Sequence, residues 1–364
     1  MIVLIIKSPN HQIKIALILF ILCNPFTYFV TMELKPEIVE RVKKLEEKYE
    51  GMGQSLANYL DGLLLSNYLT YWDYTHVDKL LTLQNPKTDF PDEVIFIVYH
   101  QITELYFKLC LNELNQIAHN GRNVLPNGHD LGWNEKISVK FFVERVTRIN
   151  RYFEALTKSF DIMVDGMEKE QFLSFRMALL PASGFQSAQY RKVEICSTDF
   201  IQLVDKDLRK NYAGKNTSIE EMYDHIYWKQ GATELASGKK TLTLEQFENK
   251  YSEEFIELAK EYSDKNLWAK YKSLSKPEQE DKELIDALRQ LDQNVNVNWP
   301  LIHYKSAVRY LQQTEADIAA TGGTNWQKYL PPRFQKRVFY PELWSETEIS
   351  DWGKGWVTKE VFGQ

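Results

Sequence analysis

The stretch from Val94 to Leu114, VIFIVYHQITELYFKLCLNEL, limits the possible folds of this chain more than any other segment. It runs for roughly 20 residues without Gly or Pro, which is too long for an ordinary strand, and its polar residues recur at helical spacing. Its first half is apolar almost all round, which predicts burial at the centre of a helical protein. Asp89 can cap this helix, and Pro91 and Asp92 suit its first turn.

The apolar half of this helix carries a single imidazole, His100. A histidine on a buried helix is more often a satisfied structural residue than a reactive one. The helix alone therefore leaves a structural role and a functional role for His100 open.

Helical signals dominate the rest of the chain, which has only 16 Gly and 12 Pro in 364 residues. Periodic apolar residues predict helices over 36–49, 58–69 and 137–160, a short one near 77–83, and a helical continuation over 171–180. A further helix is predicted to begin at Trp299, with Asn298 as its cap and Pro300 in its first turn. No segment shows sustained alternation, so we predict an all-α fold with very little β structure.

The sequence predicts one all-α domain over residues 32–364, preceded by a hydrophobic extension over 1–31. Between about 205 and 295 the chain is more polar, and many charges recur on helical periods. This pattern predicts a solvated helical insertion rather than core. The loop over 119–132 is rich in Asn, Gly and Pro, which predicts irregular structure.

The first 31 residues resemble part of a signal peptide, with Lys7 and Lys14 before the apolar run IALILFILC. That run is short for a membrane span, and no small-residue cleavage site follows it. Met32 is followed by an ordinary polar start. We therefore expect translation to begin at Met32 and the protein to be cytoplasmic without stable membrane association, with an export signal as the alternative.

Composition limits the possible partners and chemistry. The net charge is −6 without a basic block, which argues against nucleic acid as a partner. The three cysteines lie far apart and form no CxxC, so neither a disulfide framework nor a thiolate metal site is expected. Aromatic residues make up 13% of the chain, which fits a deep apolar pocket or a large oligomer interface, although a helical core explains most of them.

The common catalytic motifs GxGxxG, GxxxxGK[ST], HExxH and GxSxG are absent, and no paired ExxH motifs support a di-iron bundle. Three positions remain. His303 and His100 each offer one imidazole, and one neutral imidazole in an apolar aromatic pocket is what a haem iron needs. Arg176 lies in the apolar segment FLSFRMALL and needs an anion if it is buried, for which a glutamate of the chain is the simple alternative to a ligand.

Four blocks of sequence together resemble the tryptophan 2,3-dioxygenase family. In chain order they are YWDYTHVDKLLTLQ, FIVYHQITELYFKLCLNEL, FLSFRMALLPASGFQSAQYR, and WPLIH followed by TGG and YL. The resemblance extends from about Leu69 to Tyr329, with a divergent middle from about Thr198 to Asn296. It implies a helical haem-binding fold of the tryptophan/indoleamine dioxygenase type in an intertwined homotetramer. It also implies haem b with Fe2+, L-tryptophan and O2 as substrates, and N-formylkynurenine as the first product of the kynurenine pathway.

The resemblance also implies roles for single residues. His303 matches the iron ligand, and Trp299, four residues earlier, matches a residue at the haem. His100 matches the distal histidine that binds the indole N–H. Arg176 matches the arginine that binds the substrate carboxylate. The other implied site residues are Phe96 and Phe172 around the indole, Ser183 on the distal side of the haem, Thr321 at the amino-acid end of the substrate, and Tyr71 and Tyr74, which reach a neighbouring subunit's site.

The chain departs from the family pattern near Thr321. Four more residues than usual separate His303 from Thr321, and Thr324, Asn325 and Trp326 replace the small residues after TGG. Thr75 also stands where the family usually has Leu. A family member that oxidises a different indole, or a haem-binding protein without turnover, are therefore the alternatives.

Overall fold

The chain forms two compact units, Met1–Asp78 and Lys79–Gln364. The computed structural model describes residues 34–125, 128–232, 239–312, 327 and 330–354, together with the backbone of 2–7, 13–18 and 29–32. Helices dominate the described residues, so the predicted all-α class is confirmed.

The first unit begins with a three-stranded antiparallel sheet in the order β1 (Ile2–Lys7), β2 (Ile13–Ile18) and β3 (Phe29–Met32). The sequence did not predict these strands. Three helices follow: α1 (Pro36–Glu50), α2 (Leu56–Leu65) and α3 (Tyr71–Thr75). Many large apolar side chains of this unit are exposed: Leu63, Leu64, Leu65, Tyr68, Leu69, Tyr71, Trp72 and Tyr74.

A short helix, α4 (Val77–Leu80), lies across the boundary of the units. The α-helices of the second unit are α5 (Asp92–Ala118), α6 (Val139–Ser159), α7 (Asp161–Asp165), α8 (Lys169–Phe175), α9 (Ala188–Ser197), α10 (Ile219–Asp224), α11 (Tyr227–Gly231), α12 (Leu242–Glu261), α13 (Leu267–Lys272), α14 (Lys276–Gln279), α15 (Lys282–Gln293), α16 (Trp299–Leu311), α17 (Pro332–Gln335) and α18 (Glu346–Ser350). Its 3-10 helices are Arg176–Leu179, Gly184–Gln186, Phe200–Leu203, Arg209–Asn211 and Pro341–Leu343. A hairpin of β4 (Arg122–Val124) and β5 (Asp130–Trp133) occupies the loop that was predicted to be irregular.

Helix α5 packs between α6 and α9 at the centre of this unit. The apolar stripe of α6 faces it and is fully buried, because its residues recur every three or four positions: Phe142, Val146, Ile149, Phe153 and Leu156. The long helix predicted over 137–160 is therefore confirmed.

The start of α5 differs from the sequence prediction. No side chain caps the helix, whose first turn follows Pro91, so the proposed Asp89 cap is wrong. The carboxylate of Glu93 instead turns back to accept the backbone amides of Lys87 and Thr88. The predicted central position is confirmed, but burial is incomplete, because one apolar face is exposed along the helix; it comprises Val94, Ile102, Leu105 and Leu109.

Among the described residues, α5 is the one helix long and apolar enough to cross a membrane by length and composition, a test that the core helix of a soluble protein also passes.

The polar region over 225–295 contributes to the main core, so the predicted solvated insertion is wrong on this point. Its average polarity hides amphipathic helices that bury one face each. The buried members include Trp228, Phe247, Phe255, Trp268, Leu288 and Leu291.

The helix that was predicted to begin at Trp299 is the end of a longer one. Helix α15 continues through a π-helical turn, Asn294–Asn298, directly into α16. Asn298 has helical backbone angles and its side chain caps nothing, so the predicted cap is wrong. Pro300 fits the predicted early position, because the wider turn relieves the clash of its ring with the preceding carbonyls.

Candidate active site

His303 lies in the second turn of α16, where its ring is held by the backbone. Its Nδ1 is 2.8 Å from the carbonyl oxygen of Trp299, one turn earlier. A carbonyl only accepts, so Nδ1 carries the proton and Nε2 keeps its lone pair. The rings of Phe160 and Trp299 flank the imidazole, each with its centroid 4.3 Å away. Burial lowers the pKa of His303 to about 4, so the ring is neutral at pH 7.

His100 on α5 is held in the same way. Its Nδ1 is 2.7 Å from the carbonyl oxygen of Phe96, which again leaves the lone pair on Nε2. Burial lowers the pKa of His100 as well. The Phe96 ring lies 4.1 Å from the imidazole centroid. Both histidines that the sequence singled out therefore present an unprotonated Nε2.

A chain of ring contacts links the two imidazoles. A charge on His100 would lower the pKa of His303 further. Tyr99 and Phe160 connect the two histidines: the Tyr99 ring is 6.4 Å from His100 and 5.5 Å from Phe160, which touches His303. Two neutral imidazoles thus share an aromatic, largely apolar surround.

An aromatic wall continues from His100 toward α8 and α16. Phe96 lies 6.3 Å from Phe172, and Phe172 packs on Tyr310 with centroids 4.6 Å apart. Phe175 closes the back of this wall, 5.8 Å from Phe96. The two predicted indole-pocket residues, Phe96 and Phe172, therefore lie together beside His100.

Arg176 follows α8 directly and is only 7% exposed. Burial lowers the pKa of its guanidinium, although the group stays charged at any physiological pH. It lies four residues after Phe172, on the helical segment that carries the aromatic wall. The sequence left the burial of Arg176 open, and the structure buries it.

Ser183 and Gly184 form a turn next to His100. The Ser183 hydroxyl caps the 3-10 helix that begins at Gly184, where it accepts the amide of Phe185, and Gln186 completes a capping box. A Cβ on Gly184 would lie 3.8 Å from His100 Nε2, so this nitrogen faces the turn. Ser183 thus lies in the turn next to His100, and its role at the haem stays a prediction.

The remaining predicted site residues lie in the first unit or outside the described residues. Tyr71 and Tyr74 belong to the first unit and are 73% and 77% exposed. Thr321 and the rest of the TGG loop lie outside the described residues. Their roles stay predictions.

A metal could be held here by one imidazole. Within the described ranges, no group of three or more His, Cys, Asp or Glu side chains lies together. The Nε2 of His303 offers one neutral nitrogen in an apolar, aromatic surround, and that donor set fits the axial ligation of a haem iron. Trp299 fits beside it, since it is 6% exposed and supplies the carbonyl that orients His303.

Three pocket residues were missed from the sequence: Tyr99, Phe160 and Tyr310. Tyr99 precedes His100 and donates to the Leu156 carbonyl, and Phe160 ends α6. Tyr310 lies seven residues after His303 on α16, and its contact with Phe172 joins residues far apart in the chain. Helical spacing could have suggested Tyr310 and could not have suggested the other two.

Comparison with known proteins gives a consistent picture. The family model for tryptophan 2,3-dioxygenase matches residues 63–314. Proteins named tryptophan 2,3-dioxygenase are 38% identical over 35% of this chain in Ruegeria sp. (strain TM1040) and 28% identical over 76% of it in Bacillus thuringiensis subsp. konkukian (strain 97-27). A protein of Ralstonia nicotianae named tryptophan 2,3-dioxygenase 2 is 39% identical over 35% of the chain. The matched stretches span 40% of the Ruegeria protein, 91% of the Bacillus protein and 33% of the Ralstonia protein.

Proposed function

The chain belongs to the tryptophan 2,3-dioxygenase family, and from that membership we propose that it is a haem-dependent enzyme that adds O2 across the indole C2–C3 bond of L-tryptophan. Both oxygen atoms enter the substrate, the C2–C3 bond breaks, and N-formylkynurenine is the product. The observation that carries this proposal is the pair of neutral imidazoles, each with Nε2 free of a proton, in one aromatic pocket.

His303 is the residue that would hold the haem. Its Nε2 lone pair is available because Nδ1 donates to the Trp299 carbonyl, and such a second hydrogen bond both orients a ligating imidazole and raises its basicity. Haem iron, when bound, supplies the activation of O2. Phe160 and Trp299 fill the space around the ring and limit its rotation.

The opposite side of the pocket would hold the substrate. His100 Nε2 accepts the indole N–H, which a neutral imidazole can do only with the lone pair on that nitrogen. Arg176 binds the carboxylate through its planar fork, which fixes orientation as well as adding free energy. Thr321 is proposed to contact the amino-acid end of the substrate. These contacts place the indole before any chemical step occurs.

The aromatic wall of Phe96, Phe172 and Phe175 would lie against the indole ring and exclude water from it. Tyr310, behind Phe172, comes from the last turn of α16. The second candidate is a family member whose pocket takes a different indole, because the segment that departs from the family pattern follows α16 in the sequence.

We propose a homotetramer located in the cytoplasm. Two sets of exposed apolar residues support the assembly: the face of α5 in the second unit, and the run from Leu63 to Tyr74 in the first unit, which includes Tyr71 and Tyr74. Apolar patches of this kind mark association surfaces. Light scattering on the purified protein gives the mass of the assembly, and a monomer would contradict this part of the proposal.

The decisive experiment loads the chain with haem, reduces it and adds L-tryptophan with O2. We expect the absorbance of N-formylkynurenine to grow only when both substrates are present. Product from a substituted indole but not from tryptophan would favour the second candidate. Bound haem without product from any indole would contradict an enzymatic role.

A further inference from the structure

In the helix that carries His303, the backbone carbonyl of Val295 lacks its usual helical donor. In the π-helical turn, the amide of Trp299 donates to the carbonyl of Asn294, five residues earlier. In an α-helix that amide would have served Val295. The next possible donor in the π register is the amide of residue 300, which is a proline and has no N–H. The Val295 carbonyl is therefore left without a helical partner inside the core.

The hydroxyl of Tyr190, on α9, donates to this carbonyl at 3.1 Å. The direction of the bond is fixed, because the carbonyl can only accept and the Tyr190 oxygen itself accepts from Arg337 Nη2 at 3.2 Å. Tyr190 is 8% exposed, and burial raises the pKa of its phenol to about 12, so the donor proton is retained. Its ring packs on Phe107, which in turn faces Trp299.

We propose that Tyr190 is a positioning residue for His303, acting through the π-helical turn. The turn can adopt the α register or the π register, and a donor from outside the helix favours the π register at Val295. That register sets where Trp299 begins α16, and the Trp299 carbonyl orients His303 Nδ1. The proposal rests on the proposed function in one respect, namely that His303 binds the haem iron.

The buried cluster around Tyr190 offers a matched control, Tyr227. Both phenols are 8% exposed, and both hydroxyls contact Arg337. Tyr227 donates to Glu194 and accepts from Arg191, but these bonds lie within the cluster. Tyr190→Phe and Tyr227→Phe therefore each remove one hydroxyl from the same cluster, and only the first removes the donor to Val295.

The test compares both variants as haem-loaded proteins. We expect Tyr190→Phe to shift the Fe–His stretching frequency in the resonance Raman spectrum and to speed haem loss to excess apomyoglobin by roughly five- to tenfold, the worth of one lost hydrogen bond. Tyr227→Phe should change haem loss by less than about twofold on the same scale. Equal changes in the two variants, or none in Tyr190→Phe, would overturn the proposal.

A second variant guards against a general loss of packing. Pro300→Ala restores an amide next to the turn, so the Tyr190→Phe effect should shrink by about half or more when both changes are combined. An undiminished effect in the double variant would count against the proposal.

A haem-free measurement separates this inference from the proposed function. If the wild-type chain binds no haem, the proposed function fails, and amide hydrogen exchange then tests Tyr190 alone. Exchange at the amides of Trp299, Leu301, Ile302 and His303 should be faster in Tyr190→Phe by roughly five- to tenfold and close to wild type in Tyr227→Phe. Equal exchange in both variants would refute the positioning role.

Discussion

His100 and His303 are held by the backbone in the same way, and they differ in the residues that surround the imidazole. His100 and His303 both donate Nδ1–H to the carbonyl four residues earlier, so both present Nε2 as a lone pair. Around His303 the rings of Phe160 and Trp299 lie within 4.3 Å. Beside His100 the neighbouring turn has a glycine, Gly184, next to Nε2.

This difference indicates how the same hydrogen bond from Nδ1 to the backbone can suit both an iron ligand and a substrate-binding histidine. The crowded imidazole of His303 is suited to a permanent ligand, because its ring cannot turn away from a bound iron. Beside Nε2 of His100 the turn carries no side chain at Gly184, which suits a molecule that enters and leaves. Burial lowers the pKa of both groups. The following predictions distinguish the role of His303 and the haem side from that of His100 and the substrate side, beginning with the largest effect.

Removing the imidazole of His303 should abolish haem binding. His303→Ala takes away the proposed iron ligand, so the Soret band should be lost, whereas His129→Ala, at an exposed position, should keep it. The check is the absorption spectrum after haem loading. Free imidazole should restore part of the band in His303→Ala. A normal spectrum in His303→Ala would show that His303 is not the residue that holds the haem.

The pKa shifts predict a pH dependence for the haem-free protein. The folded-state pKa of His303 is lowered to about 4 from 6.5, so the unfolded chain binds the proton more tightly. Stability is therefore complete above about pH 6.5 and falls as the pH drops toward 4, by about 3 kcal/mol for His303. His100 contributes in the same direction. Urea midpoints between pH 7.5 and 4.5 measure this, and His303→Ala should flatten the curve.

The sequence was sufficient for the fold class and for most residues that line this pocket. The period of α6 and the length of α5 predicted these two helices, and the resemblance of the motif blocks to a known family implied Phe96, His100, Phe172, Arg176 and His303 as site residues. These features are local, because helical spacing and short motifs are written in consecutive residues. The implied catalytic and binding roles themselves stay predictions.

What the sequence could not predict depends on contacts between distant segments. The π-helical turn before His303 looks like an ordinary helix start, since Asn298 and Pro300 suit an N-terminus. Only the bond from Tyr190 to Val295, residues about a hundred positions apart, distinguishes the two arrangements. Likewise, the polar average of residues 225–295 concealed buried rings such as Trp228 and Phe247. Burial of one helix face is set by the neighbours and not by mean polarity.

Arg176, on the proposed substrate side, should affect the binding of tryptophan and not the binding of haem. Arg176→Ala should weaken tryptophan binding by about 2 kcal/mol or more, roughly 30-fold in Kd, with the Soret band unchanged. Arg176→Lys should fall between, because it keeps the charge and loses the fork. Arg148→Ala, a half-exposed arginine that pairs with Glu113, is the control. Titration of the haem spectrum with tryptophan measures binding, and wild-type affinity in Arg176→Ala would contradict its role.

His100 should have a smaller effect, on the orientation of the indole. His100→Phe keeps a ring against Phe96 and removes Nε2, so haem binding should persist while kcat/KM for tryptophan falls by roughly 10-fold, the worth of one hydrogen bond. A tryptophan methylated at the indole nitrogen has no N–H to donate. It should react at similar rates with the wild type and with His100→Phe. A large difference between the two proteins with this analogue would place the action of His100 elsewhere.

The smallest effect should come from filling the space beside His100. In Gly184→Ala the new Cβ would lie 3.8 Å from His100 Nε2, an ordinary contact distance, and this position does not need a left-handed backbone. The fold and the haem spectrum should therefore be unchanged. The methyl group would occupy part of the space that the indole N–H needs, so KM should rise by about two- to fivefold, within the cost of a slightly displaced hydrogen bond. Gly62→Ala, where nothing lies within 4 Å of the added Cβ, is the control for the substitution itself. Steady-state kinetics with tryptophan measure the change, and an unchanged KM in Gly184→Ala would mean that the substrate does not approach His100 from the side of this turn.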